Sequence, residues 1–196
     1  MYIPECFGVD EKEEMYRFVA DIAFGQIIST VNGRLFSTHM PFLLSADNDK
    51  VCGHFAKSNP QHRSLHEADV LITFQGPHEY ISPSWYVSPG VPTWNYQAVH
   101  INGRAHTFTD VDKLKVLVGS LTEKYESNFQ KPWRPDFNEA MLNGIVGVEV
   151  DISDIQCKYK LNQNRSKEDR VSVINQLECR GENFLSRAMR QSLESE

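Results

Sequence analysis

Positive charge is scarce in this 196-residue chain: 20 Lys and Arg stand against 26 Asp and Glu, a net charge of -6. An acidic chain lacks the whole-molecule attraction to phosphate backbones that drives unspecific nucleic-acid binding, so any DNA contact has to be local. Cys6, Cys52, Cys157 and Cys179 are scattered and form no Cys-x-x-Cys pair. Zinc-ribbon and thioredoxin-like chemistry therefore find no support, and free thiols are expected. No stretch approaches the ~18 apolar residues of a membrane span, and Met1-Tyr2-Ile3-Pro4-Glu5 has no basic segment leading into an apolar run, so a soluble cytoplasmic protein is expected. A Gly-rich phosphate loop, a Gly-x-Ser-x-Gly elbow and a His-Glu-x-x-His pair are all missing. These absences argue against Rossmann or P-loop nucleotide binding, an α/β-hydrolase and a zinc protease. His62 and His66 are spaced for one helix face but lack a carboxylate placed as a third ligand, so no metal site is expected and no catalytic residue is assigned.

What is present is an ordinary globular balance, 40% hydrophobic and 23% charged, in a length that suits one domain. Met15, Phe18, Val19 and Ile22 follow the helical repeat over Asp10 to Ile22. Gln26 to Val31 and Arg34 to His39 read as strands joined by Asn32-Gly33, a dipeptide suited to a two-residue hairpin. Val51 to Phe55 and Val70 to Phe74 are further strands, and Trp94 to Ile101 is predicted to turn at Asn102-Gly103 into Arg104 to Phe108. Thr109 with Asp112 signals a helix whose stripe is Leu114, Leu117, Val118 and Leu121. One or two helical turns are expected over 138–143. Ile145 to Ile155 alternates as a long strand, with Lys158 to Leu161 pairing beside it. Ser166 caps a helix that buries Val173, Ile174 and Leu177, and a last helical segment follows Gly181. Hairpins flanked by helices, without a βαβ alternation, indicate a mostly antiparallel sheet closed into a small barrel.

Three stretches carry chemical information. Phe74 to Tyr96 has the prolines and glycines of a loop, yet holds two of the three tryptophans and three of the seven tyrosines. Large rings gain nothing in water, so the protein's own core, a second subunit or a flat ligand should cover them. Ala56-Lys57-Ser58-Asn59-Pro60 suits a helix start, with Ser58 or Asn59 as cap, Pro60 at the first position and Lys57 and Arg63 nearby. Such a start can hold a phosphate or can be a plain capped connector. Lys158, Lys160, Arg165, Lys167 and Arg170, then Arg180, Arg187 and Arg190, form the one basic concentration. A solvated helix face explains it more simply than a nucleic-acid patch.

The successive motifs Thr38-His39-Met40-Pro41, Gly53-His54-Phe55-Ala56-Lys57-Ser58-Asn59-Pro60, Gly76-Pro77-His78-Glu79-Tyr80-Ile81-Ser82-Pro83-Ser84-Trp85-Tyr86, Pro92-Thr93-Trp94-Asn95-Tyr96 and Lys160-Leu161-Asn162-Gln163-Asn164-Arg165-Ser166 resemble the PaiB-like family of FMN-binding negative transcriptional regulators. Asn162 departs from the Ser common there. The resemblance implies a split barrel of the pyridoxamine-phosphate-oxidase and flavin-reductase kind over 1–165, with a C-terminal helical segment over 166–196. It further implies a homodimer with FMN at the subunit interface, a bacterial cytoplasmic setting, and repression of genes for degradative enzymes and sporulation. Carried over by motif position, Thr38, His39, Pro41, His54 and Phe55 would lie near the flavin ring. Lys57, Ser58 and Asn59 would face its phosphate, and Trp94, Asn95 and Gln163 would complete the site. A flavin-dependent oxidoreductase using the same pocket is the alternative, with haem handling behind it. DNA is possible as a partner, although no helix-turn-helix is present.

Overall fold

Apolar side chains at every second position build strands here, because successive residues of an extended chain face opposite ways. In the computed structural model, which describes residues 1–195, eight strands form one sheet: β1 (Gly8–Val9), β2 (Phe24–Val31), β3 (Arg34–Pro41), β4 (Leu43–Leu44), β5 (Lys50–Ala56), β6 (Ala68–Ile81), β7 (Thr93–Phe108) and β8 (Ile145–Lys160). The order is β3-β2-β6-β7-β8-β5-β4, with β1 antiparallel to β8. The β2–β3, β2–β6, β4–β5 and β5–β8 pairs are antiparallel too. The helices are α1 (Lys12–Ile22), α2 (Val111–Glu126), α3 (Glu139–Leu142), α4 (Lys167–Cys179) and α5 (Asn183–Glu194). Among the described residues, none is long and apolar enough to cross a membrane.

The chain groups into two units, and the larger comprises Tyr16–Phe74 and His100–Ile155. Its β2–β3 hairpin turns at Asn32 and Gly33, both at positive φ, as the dipeptide predicts. Gly53 of β5 lies against β3: a Cβ there would stand 2.4 Å from Met40 Cε and 3.1 Å from the Pro41 carbonyl oxygen. β3 ends the strand order on one side and β5 lies near the other end, so this approach curls the sheet around a core that includes Ile27, Phe42, Val51, Ile72 and Val148. Helix α2 buries Leu114 and Val118 with Leu142 of α3, against Phe108 and Ile145. Its cap is Asp110, one residue beyond the expected Thr109, and the Asp110 carboxylate accepts from Lys113 N at 2.9 Å.

The smaller unit comprises Met1–Met15, Gln75–Val99 and the residues from Gln156 onward. Helices α4 and α5 bury Val173, Ile174, Leu177, Leu185 and Met189 together with Ile81 and Leu161. Ser166 caps α4 by accepting from Asp169 N, as expected. The Asp169 carboxylate accepts from Val87 N at 2.7 Å, Ser88 N at 2.9 Å and the Ser88 hydroxyl at 2.6 Å, which ties down the loop after β6. Those hydrogen bonds, the Ser88 hydroxyl first, hold its carboxyl below the usual carboxylate range.

Three strand expectations fail, each at an expected interruption. β6 runs through Gly76-Pro77 to Ile81, because Val70, Ile72, Phe74 and Gly76 occupy alternate buried positions, so Gly76 belongs to the buried face rather than to a loop. β7 is unbroken from Thr93 to Phe108, and no hairpin forms at Asn102-Gly103. A Cβ on Gly103 would lie 2.3 Å from the Asp151 carbonyl oxygen and 2.6 Å from Val150 Cγ1. The missing side chain admits a neighbouring strand and does not serve a turn. β8 likewise continues to Lys160, so Lys158 to Leu161 is not a second strand beside it.

Gly103→Ala should accordingly lower the unfolding free energy by about 1–3 kcal/mol, the usual cost of overpacking. Gly33→Ala, with nothing within 4 Å of the added carbon, should cost only the strain of its positive φ. Urea melts of the two variants check this, and equal midpoints would contradict it.

Candidate functional site

In the larger unit the segment from His54 to Arg63 contains Lys57, His62 and Arg63 and no acidic residue. It leaves β5 at Ala56 and enters a five-residue 3-10 turn, Pro60–Ser64. The expected short helix is thus a single tight turn, too short to accumulate a dipole of consequence. Asn59 caps it, as predicted, by accepting from Gln61 N at 3.0 Å. Its amide nitrogen donates to Thr38 Oγ1 at 2.9 Å, which fixes the Asn59 side chain to β3. His62 Nε2 lies 3.0 Å from the Lys57 carbonyl oxygen. The Lys57 and Ser58 side chains are exposed.

Gln61, which no sequence motif singles out, organises this corner. Its side chain is 0% exposed. Its amide nitrogen faces the Ile27 carbonyl oxygen at 3.1 Å, Ser29 Oγ at 2.9 Å and the Phe36 carbonyl oxygen at 3.3 Å, and its amide oxygen accepts from Thr38 Oγ1 at 2.5 Å. A glutamine is ordinarily a surface residue. The only trace of its role is its position two residues after a capping Asn.

Strand alternation sorts the remaining candidates. On β3, Thr38 shares the inward side with Met40, and its hydroxyl is spent on Gln61 and Asn59. His39 points outward, its ring stacked 6.3 Å from that of Phe24, and Pro41 is half-buried. On β5, Phe55 is 1% exposed, so its side chain belongs to the core and offers a ligand no ring face. His54 faces the other way. It is half-buried, and its Nδ1 is buried without a hydrogen-bond partner among the described residues. Burial pushes its pKa down, which keeps the imidazole neutral. Gly53 packs against Met40 and Pro41, so the structure brings the ends of β3 and β5 together.

The other candidates lie in the smaller unit. Trp94 is 53% exposed and meets the rings of His78 at 6.4 Å and Tyr80 at 6.2 Å, so the aromatic stretch is covered only in part by its own unit. Asn95 is fully buried, with Nδ2 on Met189 Sδ at 3.4 Å and Oδ1 unpaired among the described residues. Gln163 bridges Leu161 N and the Tyr159 carbonyl oxygen, a turn-stabilising role.

The late basic cluster divides: Lys167, Arg180, Arg187 and Arg190 are exposed, as a solvated face predicts, whereas Lys158, Lys160, Arg165 and Arg170 are engaged within the smaller unit. Lys158 is 7% exposed; its ammonium is bonded to the Tyr2 carbonyl oxygen and lies over the rings of Tyr2 and Tyr96 at 5.6 and 5.4 Å. Lys160 donates to Thr93 Oγ1 and to the Trp94 carbonyl oxygen. Arg165 stacks 4.2 Å over Tyr86 and reaches the Pro89 carbonyl oxygen. Arg170 is 2% exposed and bonds Ser192 Oγ. Cations beside aromatic faces and carbonyls hold the smaller unit together.

The family model described as "Putative FMN-binding domain" matches residues 1–154. The chain belongs to this FMN-binding family. FMN is accordingly its cofactor. The resemblance in the motifs is borne out by a relative from Bacillus subtilis (strain 168), "Protease synthase and sporulation protein PAI 2", which is 44% identical over 186 residues, 91% of this chain and 89% of the relative. An uncharacterized protein of Emericella nidulans is 26% identical over 92% of each chain. Among solved structures, the flavocytochrome Anf3 of Azotobacter vinelandii superposes with a TM-score of 0.67 at 16% identity, covering 84% of this chain and 75% of that one. The FAD and heme binding protein of Mycobacterium smegmatis gives 0.66 at 12%, covering 84% and 78%. The shared fold is that of the split-barrel flavoproteins, as expected.

Two outcomes follow for the larger unit. Gln61→Ala should lose about 1–3 kcal/mol of stability, since it strands buried partners on β2 and β3; chemical denaturation at neutral pH measures it. The lowered pKa of His54, together with that of His100, also lowered by burial, sets a pH trend for the flavin-free protein. The unfolded chain takes up these protons near the ordinary imidazole value of 6.5, whereas the folded form does so only at lower pH. Stability should therefore decline as pH falls below about 6.5, and His54→Asn should reduce that decline. An unchanged slope in the variant would refute the assignment.

Proposed function

We propose that this chain is a PaiB-type regulator that holds FMN on the outer side of the larger unit's barrel and acts, as a homodimer, on expression of degradative-enzyme and sporulation genes. The observation that carries the site is His54: a neutral imidazole with a buried, unpartnered Nδ1, three residues from an exposed lysine in an acid-free segment. A buried polar atom without a partner carries a desolvation cost that a ligand's polar edge would offset. The residues fit FMN. Lys57 and Ser58 would hold the phosphate by a charge-assisted bond and a hydroxyl, with Asn59 fixed beside them by Thr38. His54 would meet the polar edge of the ring system, and His39 with Pro41 would flank it.

Bound FMN supplies one- and two-electron transfer chemistry. The chain's own residues position and shelter it, and the neutral His54 serves as a hydrogen-bond partner rather than as a charge. The regulatory part of the proposal rests on the 44% identity to the sporulation protein of Bacillus subtilis. A second reading, a flavin-dependent oxidoreductase whose effect on genes is indirect, is favoured by the commitment of Lys158, Lys160, Arg165 and Arg170 to internal contacts. Direct DNA contact would need other cations, such as the exposed Lys167 and Arg187.

Anaerobic titration of apoprotein with FMN, followed by flavin fluorescence, tests the site. Lys57→Ala should weaken binding about 10- to 100-fold, the value of one charged hydrogen bond; an unchanged Kd would move the phosphate elsewhere. A Soret band in the purified protein would instead favour haem. Bleaching of bound flavin by NAD(P)H with turnover on an acceptor would favour the enzyme. A salt-sensitive promoter shift lost in Lys167→Ala/Arg187→Ala would favour direct regulation.

A further inference from the structure

On the face of β5 that also carries His54, the larger unit contains an open groove of about 700 Å³ between α2 and the strands β4, β5 and β8. That is within the range of about 300–1,000 Å³ typical of small-ligand sites. Its walls are mainly apolar: Leu43 and Leu44 from β4, Val116 and Leu117 from α2, and Phe108 at the end of β7. The Phe108 ring is fixed, for it fills the space where a side chain at position 147 would stand; a Cβ on Gly147 would come within 2.2 Å of it.

The charges along this groove are unbalanced. Glu149 and Asp112 line it with a single cation, Lys113. The Lys113 ammonium lies 5.7 Å over the centre of the Phe108 ring. Lys50, the next basic side chain on β5, is paired with Asp151 at 3.3 Å, and its charge also reaches Glu149 without an ion-pair contact. Among the described residues, no cation stands within ion-pair distance of Glu149 or Asp112. Glu149 is half-buried, opposite Cys52 in the β5–β8 register, and Cys52 also faces the groove. A partly desolvated carboxylate beside apolar walls attracts a cation that brings its own apolar body, since the cation supplies the missing charge and the body covers the walls.

We propose that this groove binds a small apolar primary amine, its ammonium paired with Glu149 and its hydrocarbon part laid against Leu44, Phe108 and Val116. A neutral molecule of the same shape would bury the same surface without the ion pair. A carboxylate would face two like charges.

The test uses the full-length, FMN-loaded protein and three six-carbon probes, n-hexylamine, n-hexanol and n-hexanoate, titrated calorimetrically at pH 7. Saturable binding in the order amine, alcohol, acid is expected, the amine leading the alcohol by ~5-fold, the worth of one partly exposed ion pair. Glu149→Gln should remove the lead of the amine while leaving hexanol unchanged, which a merely unfolded variant would not do. Val116→Trp, at an exposed position on α2, should abolish binding of all three by filling the groove. The proposal is overturned if the amine does not saturate, if it binds no better than hexanol, or if Val116→Trp binds it as wild type does. It is equally overturned if sedimentation shows that Val116→Trp splits a wild-type dimer that takes up no amine, because the groove then belongs to a second copy.

Discussion

The arrangement of the larger unit rests on one buried amide. Gln61 donates to β2 through Ile27 and Ser29, to β3 through the Phe36 carbonyl, and accepts from Thr38. Its two amide hydrogens are shared among the three acceptors, and since no water reaches a side chain with no exposure, removing the amide would strand its buried partners at a cost. The network couples two otherwise separate features: the β2–β3 hairpin, formed locally by Asn32-Gly33, and the turn after β5, formed locally by Asn59-Pro60. Thr38 belongs to both, because it gives its hydrogen to Gln61 and accepts one from Asn59. The exposed Lys57 and Ser58 are thereby carried on a turn that is tied to the barrel rather than on a free loop.

Close strand approach is the second constraint. At Gly103 an added carbon would collide with the Asp151 carbonyl oxygen of the neighbouring strand at 2.3 Å, and at Gly53 it would press on Met40 Cε at 2.4 Å and crowd the Pro41 carbonyl oxygen at 3.1 Å. The sequence presents Gly53 between a cysteine and a histidine, and Gly103 after an asparagine. The second context is indistinguishable from a hairpin turn by local chemistry, since Asn-Gly at 32–33 is such a turn and Asn-Gly at 102–103 is not. What separates them is whether a third strand lies alongside, and that is a tertiary fact. The same holds for Gly76-Pro77, where a turn-forming pair sits within the alternation of a fourteen-residue strand.

Where local physics decides, the sequence was legible. The α4 cap at Ser166, the buried stripe Val173, Ile174 and Leu177, the Asn59 cap and the first hairpin each depend on residues within a few positions of one another. The flavin family was legible through motifs spread along the chain. The inward or outward sense of each motif residue was less so: the motif that names His54 and Phe55 side by side does not say that one faces outward with an orphaned nitrogen and the other is core. Gln61 was invisible because nothing in an isolated glutamine distinguishes a buried hub from a solvated side chain.

The fate of the basic residues bears on how an acidic protein can hold an anionic cofactor. A cation buried in the smaller unit must be matched on the spot: Lys158 has two rings and the Tyr2 carbonyl, Arg165 has the Tyr86 ring, the Pro89 carbonyl and the Asp169 carboxylate at 3.8 Å, and Arg170 bonds the Ser192 hydroxyl. Such cations are sequestered and add little to the field outside the unit. Against a net charge of -6, a phosphate therefore depends on a stretch that is locally free of acids and keeps its ammonium in solution. The residues from His54 to Arg63 meet both conditions, with Lys57 exposed and no Asp or Glu among them. Charge placement, rather than total charge, decides whether an anion site suits this composition, because charges more than a Debye length away, about 8 Å at physiological salt, are largely screened.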